Sequence, residues 1–155
     1  MINIQVNEDT EELWKSLDVP FDVLEEAANE TLYQSAATGT TELTIVLGSD
    51  ELLHDLNQEY LHIDAPTDVL SFGADFTDPD TEASYLGDVV ISLPRAISQA
   101  GASDHPLKDE LQLLVVHGVL HLMGYDHVEE GEKANMQKMQ DAILKQLGST
   151  PGPLL

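Results

Sequence analysis

His117, His121 and His127 are the residues of this chain whose types and spacing point to chemistry. On a helix, His117 and His121 project from one face about a turn apart, the arrangement two imidazoles need to grip one metal ion. His127 follows ten residues after His117 and would point away from the other two if the helix simply continued. Gly124 stands between them, where a glycine can end the helix in a left-handed turn and let the chain bring His127 back to the same ion. Three neutral imidazoles with one open position suit a catalytic zinc, one per chain, whereas a structural zinc usually takes four protein ligands.

The stretch that must carry the first two histidines is apolar on nearly every face. From Leu111 to Met123 the only polar side chains are Gln112, His117 and His121, so the helix belongs in the interior. Histidines buried there without partners would be costly, which again favours a shared ion. Around this centre stand the candidates for the remaining chemistry. Asp126, next to His127, can orient a ligand or a water, and Asp88, on an apolar strand beside a glycine, is the second candidate catalytic carboxylate. Thr67 and Ser71 are candidate holders of phosphate or substrate hydroxyls, with plain turn and strand roles as the alternative. Arg95, the sole arginine, is the candidate phosphate partner.

His117-Gly118-x-Leu120-His121-Leu122-x-Gly124-Tyr125-Asp126-His127 resembles the signature of the YbeY family, zinc-dependent endoribonucleases that mature ribosomal RNA. Leu56-Asn57, then Pro66-Thr67-Asp68-Val69-Leu70-Ser71-Phe72, then Gly87-Asp88-Val89-Val90-Ile91 are similar to its other blocks, in order. The resemblance spans roughly residues 40 to 130. It implies a four-stranded mixed sheet surrounded by helices and a zinc-dependent single-strand endoribonuclease acting in ribosomal RNA processing and ribosome assembly. It also implies ribosomal RNA as substrate, and a small-subunit ribosomal protein and an assembly GTPase among the partners. The alternative on the same residues is a non-catalytic assembly factor with a structural zinc. The spacing is also similar to that of the metzincin proteases, but their motif has a glutamate after the first histidine. Here Gly118 fills that slot, and a protease loses its general base. One departure stands out: after Asn57-x-x-Tyr60 the YbeY pattern usually carries an arginine, and this chain has Leu61. Arginine would fork two hydrogen bonds to a phosphate and leucine offers none, so RNA engagement is expected to be weakened unless Arg95 or the neighbouring His62 takes over the role.

Along the chain, residues 1–6 alternate and read as a strand. Residues 7–17 are acidic and undecided. A helix is expected from Asp18-Val19-Pro20 to about Tyr33 and a β-branched strand over 41–47. Ser49 and Asp50 cap a helix over 51–60. A short strand at 66–72 precedes an acidic loop from Asp75 to Ser84. Tyr85–Leu93 reads as a strand buried on both faces. A short helix follows to about Ala100, then the central helix, started by Asp104 or His105. The last helix runs from Glu129 to Leu147, with Met136, Met139, Ile143 and Leu147 inward. This order predicts an α+β or α/β fold, with residues 1–148 as one domain and 149–155 as a loose tail. His54, His62 and His105 are read as bystanders.

A chain of 155 residues buries a real core. No run of about 20 apolar residues exists, the start lacks a signal-peptide pattern, and there is no cysteine, which together fit a cytoplasmic protein. The net charge of −23 is the awkward fact, since phosphates are repelled by it. It is uneven: residues 1–94 hold 21 acids and one base, Lys15, while residues 95–155 hold eight acids and five bases. A salt-rich medium, which shortens electrostatic reach to a few ångströms, is one setting for such a surface.

Overall fold

Alternation in the strands sets up two faces of one sheet, and the long apolar helix fills the larger of them. The computed structural model describes residues 1–37, 39–77, 79–80 and 82–150. Strands β1 (Ile2–Val6), β2 (Thr41–Gly48), β3 (Val69–Thr77) and β4 (Ser84–Ser92) form a sheet in the order β1-β2-β4-β3. β1 and β4 run parallel to β2, and β3 closes the far edge antiparallel to β4. Around it lie α1 (Glu11–Ser16), α2 (Asp22–Gln34), α3 (Asp50–Leu61), α4 (Leu93–Ala102), α5 (Leu107–Leu122) and α6 (Glu130–Leu147). The mixed four-stranded sheet packed by helices is thus as expected.

β2 sends Leu43, Ile45 and Leu47 to one face, and β4 adds Val89 and Ile91, all fully buried. Against that face lies α5, buried at every position from Asp109 to Leu120, with α2, α4 and α6 packed around it. The opposite face carries α3 alone, through a smaller cluster of Leu53, Leu70 and Val90.

Several local expectations are corrected. The undecided residues 7–17 form a short 3-10 turn and α1, with Trp14 buried and stacked on Phe21. The helix expected from Asp18 begins at Asp22, because Asp18 has a left-handed backbone, φ 54°. β3 runs to Thr77 rather than stopping at Phe72: a bulge between Gly73 and Phe76 lets the strand rejoin β4, where Phe76 stacks on Tyr85. The acidic loop is therefore shorter than expected, and its Asp78 and Thr81 lie outside the described residues. Neither Asp104 nor His105 caps α5; Pro106 holds that position and His105 pairs with Glu110 at 3.0 Å. The tail does not loosen at 149. Ser149 is buried with its hydroxyl on Gln112 Oε1, and Thr150 donates through its amide and hydroxyl to Asp109 Oδ2. Residues 151–155 lie outside the described residues. Among the described residues no helix is long and apolar enough to cross a membrane.

Candidate metal centre

α5 delivers His117 and His121 from its last two turns, and its C-terminus is built to turn back. The amide of Gly124 donates to the carbonyl of His121 and that of Tyr125 to the carbonyl of Leu120, with Gly124 at φ 96°. These two bonds are the pair that closes a helix on a left-handed residue. The next residues then place His127 beside the other two rings. Ring centroids stand 4.5 Å apart for His117 and His121, 5.1 Å for His121 and His127, and 5.6 Å for His117 and His127. Asp126 Oδ1 accepts the His127 amide at 2.7 Å and fixes the loop at that point.

Alanine at 124 meets no atom within 4 Å, so its penalty is conformational. Gly124→Ala should cost about 1–2 kcal/mol, the left-handed penalty of a side chain, and loosen His127 relative to the helix. Urea unfolding and zinc content measured on the same variant check both halves. Unchanged values would remove the turn from the site's construction.

Burial sets the charge state of the cluster. His117 is 5% exposed, and desolvation, aided by the neighbouring His121 and His127, pushes its pKa down to about 3. His121 is lowered too, first by desolvation and then by His127. Both therefore present lone pairs at neutral pH. The Nδ1 atoms of His117 and His127 are buried without a hydrogen-bond partner. The sign of the pH effect follows. A histidine held neutral in the fold still protonates near 6.5 in the unfolded chain, so stability is full above that pH and falls below it. For the metal-free protein, urea unfolding at pH 8, 6 and 5 should show stability falling by up to about 1.4 kcal/mol per pH unit per buried histidine below 6.5. Stability independent of pH over that range would contradict the buried neutral state.

The donor set is of the kind that holds zinc: neutral imidazoles and no thiolates. Among the described residues no group of three or more His, Cys, Asp or Glu side chains is arranged to hold a metal ion as it stands. Nε2 of His117 and His121 are 3.0 Å apart, as in a hydrogen bond between neutral rings. Two nitrogens on a tetrahedral zinc stand about 3.3 Å apart for bonds of 2.0–2.1 Å. A few tenths of an ångström of ring opening separates the two arrangements for His117 and His121, and the chemistry of the donor set suits the ion.

Of the other candidates, the structure brings one to this centre. Ser71 Oγ donates to the carbonyl of Gly118 at 2.8 Å, tying β3 to α5 one residue from His117. Asp88 is not with the histidines. Its neighbour Val89 faces Gly118, so Asp88 points to the α3 face, where it accepts the hydroxyl of Tyr85 at 2.5 Å. Thr67 donates to Asp68 at 3.3 Å, ahead of β3 and four residues before Ser71. Arg95 is occupied: Nε and Nη2 fork onto Asp50 Oδ1 and Oδ2 at 2.8 and 2.9 Å, and the guanidinium draws the Asp50 pKa down. His54 pairs with Asp64 at 2.6 Å, and His62 ends α3 in a left-handed conformation. Sequence reasoning missed the role of Gly118, where a Cβ would lie 2.5 Å from Val89 Cγ1. The glycine lets α5 press onto the sheet, and its position faces β4.

Comparison with known proteins bears on most of the chain. Residues 4–148 match the profile of the family described as Endoribonuclease YbeY. A protein of that name from Roseiflexus castenholzii is 45% identical over 132 residues, covering 81% of this chain and 82% of the relative. One from Dehalococcoides mccartyi is 43% identical over 136 residues, with 80% and 85% covered. The solution structure of TM1509 from Thermotoga maritima has a similar fold, with a TM-score of 0.51 at 24% identity over 96% of this chain and 92% of that one.

Proposed function

The chain belongs to the YbeY endoribonuclease family, and on that premise we propose that it is a zinc-dependent endoribonuclease that cleaves single-stranded regions of ribosomal RNA during ribosome assembly. The observation that carries the reading is the convergence of three imidazoles, two on one buried helix and one returned to it by a glycine turn. Those three side chains, His117, His121 and His127, would hold the ion. When bound, zinc supplies a Lewis acid for a phosphoryl oxygen and brings the pKa of a water to about 7. The rest of the mechanism belongs to the chain. Burial keeps His117 and His121 deprotonated and ready to ligate. Asp126 is a positioning residue, holding the backbone of His127 in place. Ser71 pins the carbonyl of Gly118 and so fixes α5 against β3. The partners are ribosomal RNA and, at the ribosome, proteins of its assembly.

The test is elemental analysis of the purified protein beside a cleavage assay on structured and single-stranded RNA, with and without chelator. One zinc per chain and chelator-sensitive cleavage support the reading. Zinc without cleavage leaves a binding factor of ribosome assembly in its place.

Leu61 supplies a separate prediction. It ends α3, is 52% exposed, and brings no charge to a half of the chain with a single lysine. Leu61→Arg should raise affinity for single-stranded RNA at low salt without altering zinc content, and the gain should shrink as salt rises. No change in affinity at any salt concentration would show that the position contacts no phosphate.

A further inference from the structure

On the α3 face of the sheet lies a groove of about 720 Å³ that the histidine chemistry does not use. Its size is in the ordinary range for sites that hold a small molecule or one nucleoside. The floor is apolar, made by Val46 and Val90 from the sheet and Leu52 and Leu56 from α3. Tyr60 and Phe72 form an aromatic corner, with ring centroids 5.3 Å apart and edge to face, and Tyr60 is 58% exposed. Asp88 lines the same groove. Its Oδ1 is held by the hydroxyl of Tyr85, which also contacts Thr44 Oγ1 at 2.7 Å, so the carboxylate is fixed in direction. No cationic side chain is among the lining residues, and Leu61 stands at the rim. The groove reaches Ser71 and Gly73 on the open edge strand β3, and Ser71 is bonded to the residue after His117.

A site with an exposed ring, an apolar floor and a fixed carboxylate is matched by a flat aromatic ligand with N–H donors on one edge. Single-stranded RNA is recognised in this way, by bases stacked on aromatic side chains and hydrogen-bonded along their edges. We propose that this groove is a nucleobase subsite, in which a guanine stacks at Tyr60 and gives its N1–H and N2–H donors to Asp88. Guanine offers two adjacent donors to the two carboxylate oxygens. Uracil offers one N–H flanked by carbonyl oxygens, which a carboxylate repels. The subsite rests on the endoribonuclease reading for its source of RNA, with the chain crossing the β3 edge between groove and histidines. It also gives this acidic protein a hold on RNA that needs no cation. Stacking is sequence-tolerant and not screened by salt as phosphate contacts are.

The test uses free nucleosides, which have no phosphodiester to cleave, and reads methyl NMR shifts of Val46, Leu52, Leu56 and Val90 in the zinc-loaded protein. Guanosine should move these methyls and uridine should move them far less. Tyr60→Ala should weaken guanosine binding roughly ten-fold. Asp88→Asn keeps the acceptor for Tyr85 and should erase the preference for guanosine over uridine. Equal response to both nucleosides, or response to neither, overturns the proposal. So does a groove that answers only to a peptide from a partner protein. A protein that cleaves RNA while guanosine leaves the groove untouched loses the subsite and keeps the nuclease. One that binds guanosine here but never cleaves RNA does the reverse.

Discussion

Alanine at His117, His121 or His127 should reduce zinc from one per chain to a small fraction of that and abolish RNA cleavage. The three imidazoles have no substitute nearby: the chain has no cysteine, and His54 and His105 are bonded to Asp64 and Glu110. Metal binding also contributes to folding, because the unfolded chain has no formed site. Thermal stability with zinc present should therefore fall in all three variants. The largest fall is expected at His117, where removal of a buried ring also leaves a cavity. In the zinc-free protein the metal's share of the loss disappears. There His121→Ala and His127→Ala should cost little, since burial of adjacent rings without an ion is no asset. Atomic absorption on the three variants, with melting curves in zinc and in chelator, separates these effects. Full zinc content in all three would refute the assignment.

Gly118→Glu writes the metzincin glutamate into this helix, and it should yield an unfolded or strongly destabilised protein with no protease activity. The slot faces the sheet. Its Cβ position is 2.5 Å from Val89 Cγ1, 3.1 Å from Cγ2 and 3.2 Å from Ser71 Oγ. A carboxylate there would be buried against two strands without a partner, a cost of several kcal/mol. Gly118→Ala isolates the steric part. Overpacking costs about 1–3 kcal/mol and the gain in helix propensity returns about 1. Pairing it with Val89→Ala should recover much of the loss, and that coupling in a double-mutant cycle is the decisive reading. A stable Gly118→Glu variant would mean that α5 does not sit on the sheet as described.

The histidine centre was legible in the sequence because its determinants are local. Four-residue spacing fixes two ligands on one helix face, and a glycine after the last apolar turn is enough to bring the third round. The sheet and most helices were legible for the same reason, from periodicities of a few residues. What escaped depends on partners far along the chain. Arg95 read as a phosphate contact because Asp50, which neutralises it, is 45 residues earlier. Asp88 reads as a candidate catalytic carboxylate or a turn cap, and which face it takes is decided by register. β4 carries an irregularity opposite Glu42 and Leu43 of β2, and shifting a strand by one residue exchanges its faces. Gly118 was recognised as unable to serve as a base, but its closeness to Val89 belongs to packing that no local pattern records. The last helix ends at Leu147 as its pattern predicts, whereas the anchoring of Ser149 and Thr150 depends on Gln112 and Asp109 far back in the chain.

That anchoring has a consequence in time. Chains are made from the N-terminus onward, and Gln112 and Asp109 find their partners 37 and 41 residues later. Until Thr150 has been added, the helix that carries His117 and His121 holds buried acceptors still waiting for donors, each worth about 1–3 kcal/mol when left unmet. A nascent chain of this protein therefore carries its histidines long before it can seat them. The last hydrogen bonds that support the centre's helix are completed only after residue 150 has emerged, more than a helix length beyond His127.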